Sequence, residues 1–246
     1  MPLVSTRSII LQAFPYGDTS KILRLLTREH GVRSVIAKGA QRPKSRFGGV
    51  LESFTEGEAQ FFAREGRDLH TLGGFDLLKS RQSIGRNLVA FTGASLIAEL
   101  ALRFGTDEPQ PSIFQTVADS LDEIATADAH LLQEIVISDV WVLVSLFGFR
   151  PEMDSCVGCG EVLPPAATAR FDVEGGGVAC VRCRPVGRAL DPASRRELRQ
   201  MVEGRASRHP FTSPSLQRAL VRAFLITHLA RDYTLRSLEM FLQQLG

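Results

Sequence analysis

Four cysteines stand as CVGC at 156–159 and CVRC at 180–183, two C-x2-C pairs separated by twenty residues. Each short turn aims two sulfurs at one point, and two such turns supply the four thiolates of a tetrahedral zinc site. Cys156, Cys159, Cys180 and Cys183 are therefore the expected ligands of one structural zinc per chain. A closed shell of four cysteines keeps no position for water, so the metal is expected to fold its segment rather than to catalyse. Gly158 and Gly160 suit the tight backbone of the first turn. Arg182 and Arg184 are expected to offset the negative charge of the thiolates. The competing chemistry is redox or a disulfide pair, but no βαβ pattern surrounds either C-x2-C, and the expected compartment is reducing.

The second chemical feature is KGAQRPKSR at 38–46, four cations in nine positions with no acid among them. The chain has a formal net charge of only +2, which conceals an asymmetry. The first fifty residues hold nine Lys/Arg against Asp18 and Glu29, and the remainder carries more acids than bases. A cationic end of this kind attracts a polyanion: nucleic acid, an anionic membrane or an acidic protein tail.

Signatures of catalysis are missing. Lys79-Ser80 follows Leu78 where a P-loop needs glycine, no G-x-G-x-x-G follows a predicted strand, and there is no G-x-S-x-G elbow. The five histidines form no H-E-x-x-H, and none opens the H-x-E element of a zinc deaminase. The protein is read as a non-enzyme.

The elements that must position these features change character along the chain. Up to about residue 80, Ser8–Ala13, Ile22–Thr27, Val32–Ala37, Phe54–Phe62 and Leu69–Leu78 are short apolar or alternating runs, which predicts a small five-stranded barrel. Arg28–Gly31 reads as a hairpin turn. The alternation in the fourth run predicts Glu56, Glu58 and Gln60 on one face and Gly57, Ala59 and Phe61 on the other. The basic stretch then falls in an irregular loop between the third and fourth strands.

Beyond residue 84 the period is helical. Arg86–Phe104 and Ser112–Ala127, the latter with Ser112 as its expected N-cap, precede an apolar helix around Ile135–Phe149. Leu132, Val136, Val140, Leu143 and Phe147 mark that helix's inner side. Ser138 and Asp139 interrupt it, so a buried core helix is expected rather than a membrane span. Asp191–Glu203 opens with a cap followed by proline, and Pro214–Asp232 and Leu235–Leu245 complete a helical bundle. Together these predict an α+β multidomain chain: 1–80 a barrel, 84–150 a helical domain, 151–188 an inserted zinc knuckle, and 189–246 the rest of the helical domain. The opening Met-Pro-Leu-Val-Ser-Thr-Arg has no apolar core of signal-peptide length, so a cytoplasmic, nucleoid-associated protein is expected.

The stretch YGDTSKILRLLTREHGVRSVIAKGAQRPKSRFGGVLESF at 16–54, with the strand-rich start, the helical remainder and the cysteine knuckle inside it, resembles the RecO family of recombination mediators. The resemblance implies an N-terminal OB-fold and a protein that binds single- and double-stranded DNA and anneals complementary strands. It further implies RecR and the C-terminal tail of single-strand DNA-binding protein as partners in loading RecA during recombinational repair. An OB barrel binds single strands along a cationic groove while bases stack on exposed rings. Lys38, Arg42, Lys44 and Arg46 are therefore the expected phosphate contacts, with Arg33, Lys21 and Arg24 extending the track. Phe47 is either a stacking ring or a plug of the barrel end. The alternative reading is a zinc-ribbon adaptor for acidic protein partners that touches nucleic acid only incidentally.

Overall fold

Alternating inward and outward residues make strands, and closure of those strands on themselves is what buries their common face. In the computed structural model, which describes residues 2–63, 66–205, 209–230 and 233–246, five strands follow one another: β1 Leu3–Tyr16, β2 Ser20–Thr27, β3 Gly31–Ala37, β4 Glu56–Phe62 and β5 Leu69–Lys79. They close as β1-β2-β3-β5-β4, with β4 returning to β1 and β3 parallel to β5. This is the five-stranded OB-fold barrel. All five predicted strands are present.

The barrel core joins Ile10, Leu23, Leu25, Val35, Ala59, Phe61 and Leu72 to Phe47 and Leu51, which enter from the β3–β4 connection. In β1 the register shifts between Ile10 and Gln12. Ala13 then packs against the core, leaving exposed Gln12, Phe14 and Tyr16 together on the opposite, solvent face. The β2–β3 hairpin turns where expected, at Gly31 (φ +64°), where a Cβ would stand 2.2 Å from the Thr106 carbonyl oxygen.

The expected alternation in β4 fails at its first residue. Glu56 is fully buried, paired with Arg7 and held at 2.6 Å by Arg81, itself buried. Arg81 also donates to the Phe54 carbonyl at 2.9 Å and to Asp122 at 2.7 Å. A carboxylate with two guanidinium partners can be buried where a lone one cannot. Asp122 lies on α2, Pro111–Thr126, which follows α1, Leu88–Phe104. Helix α2 begins at Pro111, so Ser112 sits inside the first turn and is not its cap.

The described residues divide into two compact units, Met1–Thr126 and Ala127–Gly246. In the second, α3 (Leu132–Leu146) is the buried core helix its periodicity predicts. Leu132, Val136, Val140 and Leu143 are buried and Phe147 is half-buried just past its end. The window Ala129–Leu146 is apolar enough to cross a membrane by composition, yet most of it is buried. A small sheet, ordered β7-β6-β8 (Gly177–Ala179, Ala169–Asp172, Arg188–Leu190), carries the cysteine segment. Helix α4 (Pro192–Val202) is capped by Asp191, whose carboxylate accepts from the Ala193 and Ser194 amides. Helices α5 (Pro214–Phe224), prolonged by a π-helical turn to Leu229, and α6 (Arg236–Gln244) complete the unit.

Candidate metal centre and nucleic-acid interface

The cysteine site is assembled by the β6–β7 hairpin. Strand β7 delivers Cys180 directly after Ala179, and the Val157 amide donates to the Val178 carbonyl at 2.9 Å, docking the first turn beside the second. The Gly175–Gly177 run supplies the hairpin turn between these strands. The four Sγ atoms lie within 4.8 Å of one another. Four sulfurs bound to one zinc ion at 2.3 Å would stand about 3.8 Å apart, so a small contraction suffices. Gly158 closes the cradle: a Cβ there would come within 2.9 Å of the Cys183 Cβ and 3.2 Å of its sulfur.

The protons tell the same story. The Cys180 amide donates to the Cys156 sulfur at 3.2 Å, which brings the Cys156 thiol down to about 6. Cys183 is pushed up to about 12, because it shares hydrogen bonds with the sulfurs of Cys180, Cys159 and Cys156. Four adjacent thiolates cannot all form without a cation to replace the last protons, and a divalent metal is the cation that does so. The arginine expectation holds only in part. Arg182 pairs with Glu161 beside Cys180, whereas Arg184 is committed to Asp172 at 2.8 Å.

The seven candidate DNA contacts separate into two groups. Lys38, Arg42, Lys44 and Arg46 are all exposed, and no carboxylate pairs with any of them among the described residues. Their loop is anchored: Gln41 donates its backbone amide to the Thr19 carbonyl at 2.8 Å and its side chain to the Ser20 carbonyl at 2.7 Å. Arg46 donates to the Leu72 carbonyl at 3.2 Å and lies 4.9 Å from the centre of the Phe47 ring. Phe47 itself is buried in the barrel core, which makes it the plug and not a stacking ring.

The other three differ from the loop and from each other. Lys21 is tied to Glu52 at 2.7 Å and to the Leu51 carbonyl. Arg33 is tied to the Asp107 carboxylate at 2.9 Å and to its carbonyl at 2.8 Å. Arg24 has no carboxylate partner among the described residues, and its buried Nε makes no hydrogen bond. With Arg33, His70 and Phe61 it lines a cavity of about 700 Å³ toward the far end of β3. Arg33 and Lys38 are five residue steps apart along extended chain, about 17 Å, so the seven cations do not form one continuous cluster.

Sequence reasoning passed over the exposed pair Phe14 and Tyr16, whose i, i+2 spacing in a β-prone run was the available signal. It also missed the Glu56–Arg81–Asp122 network, because distant residues in sequence carry no mark of their meeting.

Residues 1–81 match the family model described as Recombination protein O N terminal, and residues 85–239 match Recombination protein O C terminal. The chain belongs to the RecO family. The likeness to its relatives covers from about two thirds of the chain to nearly all of it. A DNA repair protein RecO of Anaeromyxobacter sp. (strain Fw109-5) is 31% identical over 97% of this chain and 94% of the relative. The namesake of Bacillus pumilus (strain SAFR-032) is 34% identical over 80% and 76%. That of Bacillus subtilis (strain 168) is 33% identical over 74% and 69%. Within the RecO family framework, the basic loop belongs to the N-terminal match and the four cysteines to the C-terminal match.

Proposed function

We propose that this protein is a non-enzymatic mediator of recombinational DNA repair. It binds single- and double-stranded DNA, anneals complementary strands, and with RecR helps RecA replace single-strand DNA-binding protein, whose C-terminal tail it also engages. The observation that carries the reading is the loop of four exposed cations, Lys38, Arg42, Lys44 and Arg46, with no carboxylate partner among the described residues, on an OB barrel in a RecO-family chain. Relatives named DNA repair protein RecO support the same assignment. Annealing needs no covalent step: screening the repulsion between phosphates while two strands are held together is sufficient. The metal is zinc, held by Cys156, Cys159, Cys180 and Cys183, and its role is to fold residues 151–188, which contain few large apolar side chains. The site of action is the cytoplasm, at the nucleoid.

The test is pairing of complementary oligonucleotides coated with single-strand DNA-binding protein, followed by fluorescence without ATP. Fast pairing by the wild-type chain and loss of it in Arg42→Glu/Lys44→Glu is the expected result. No acceleration, together with binding of acidic peptides that excess single-stranded DNA does not displace, would instead identify an adaptor.

A further inference from the structure

The barrel presents, beside its basic loop, a pair of rings with no described role. Phe14 is 42% exposed and Tyr16 is 54% exposed. Among the described residues neither ring makes an aromatic contact. They share one face of β1, and their i, i+2 spacing sets them about 7 Å apart along it.

The register fixes what surrounds them. Phe14 stands opposite Ile22, Ile22 opposite Ile36, and Ile36 opposite Thr71, a rung across four strands that is apolar in its first three. The next rung on that face is Gln12, Arg24, Ser34 and Leu69. At the other end of the shelf, Tyr16 faces Ser20, whose carbonyl accepts from Gln41 of the basic loop. The rings therefore lie between two sources of positive charge without a carboxylate partner among the described residues: Arg42 and its neighbours on one side, and Arg24 on the other.

We infer that Phe14 and Tyr16 are base-stacking platforms on which successive bases of a single strand lie while the loop and Arg24 hold the flanking phosphates. The ligand is single-stranded nucleic acid with unpaired bases, and this assignment rests on the DNA-binding function proposed above. An apolar protein segment would use the rings equally well, but it would gain nothing from cations at both ends. A polyanion with aromatic faces uses both features. Duplex DNA uses only the cations, because its bases are stacked inside.

Phe14→Ala and Tyr16→Ala are each expected to weaken binding to an oligothymidylate by about tenfold, and Tyr16→Phe is expected to retain wild-type affinity. The same alanine variants should bind an abasic oligonucleotide of equal length, and a duplex, as tightly as wild type does. Both positions are exposed, so circular dichroism should show an unchanged fold. Equal losses on normal and abasic strands would overturn the stacking assignment in favour of a structural role. Unchanged oligothymidylate affinity in the alanine variants, with binding abolished in Arg42→Glu/Lys44→Glu, would overturn stacking and leave the DNA-binding reading intact. If the charge reversal were silent too, both readings would fall.

Discussion

The salt dependence of single-strand binding follows from counting which cations are free. Of the seven candidates, Lys38, Arg42, Lys44, Arg46 and Arg24 carry no carboxylate partner among the described residues, whereas Lys21 and Arg33 are neutralised by Glu52 and Asp107. A cation that already has a partner must give it up before it can displace a counterion from DNA. Five contacts to a single strand correspond to a slope of log K against log salt of about −3.5, and seven to about −4.9. Between about 50 and about 200 mM salt these mean losses of about 130-fold and about 900-fold. The two are readily separated by fluorescence anisotropy of a labelled oligothymidylate titrated at four salt concentrations. Arg42→Ala should bring the slope to about −2.8 while Arg33→Ala leaves it near −3.5. A wild-type slope near −4.9, or equal flattening by Arg33→Ala and Arg42→Ala, would refute the count by showing that the ion pairs open for DNA. A slope shallower than about −1.5 would refute phosphate contact by the loop altogether.

Three further outcomes are expected. Arg81→Met leaves buried Glu56 with Arg7, a half-exposed guanidinium, as its remaining cation and frees the carbonyl of Phe54, the one described non-glycine residue with positive φ (72°). It should cost about 3–5 kcal/mol in urea unfolding followed by circular dichroism, most of it recovered when Glu56→Leu is added; equal loss in both variants would contradict the charge argument. Burial pushes the Asp122 carboxyl up, but hydrogen bonds and charge from Lys79 and Arg81 outweigh it and hold the group below its ordinary value of 3.8. Its contribution is therefore full above about pH 4 and lost as pH falls through the lower folded value. Asp122→Asn should be less stable than wild type at neutral pH, with the gap closing in acid. For the metal, elemental analysis should find one zinc per chain. Chelation, or Gly158→Ala with its Cβ against Cys183, should speed hydrogen exchange across residues 152–190 and leave β1–β5 protected.

The two chemical features were legible in the sequence because each is local. A C-x2-C pair fixes its own geometry within four residues, so the two turns could be recognised without knowing how the chain brings them together. The strands of the barrel were legible for a related reason: alternation in runs such as Val32–Ala37 is imposed by the face each residue must bury. The basic loop announced itself by charge alone.

What the sequence determined was therefore the inventory: five strands, a helical remainder, four paired cysteines and seven candidate cations. Only the tertiary structure decided which of those cations are free. Lys21 and Arg33 look like Lys38 and Arg42 in the sequence, yet Glu52 and Asp107 reach them across 31 and 74 residues. Tertiary structure also buried Glu56, which alternation placed outside, by bringing Arg7 and Arg81 to it. It sent Phe47 into the core and left Phe14 and Tyr16 on the surface, after a register shift in β1 that no local pattern specifies. The physical reason is the same in each case. Charge compensation and burial depend on distances between residues far apart in the chain, and those distances come into being only when the barrel closes.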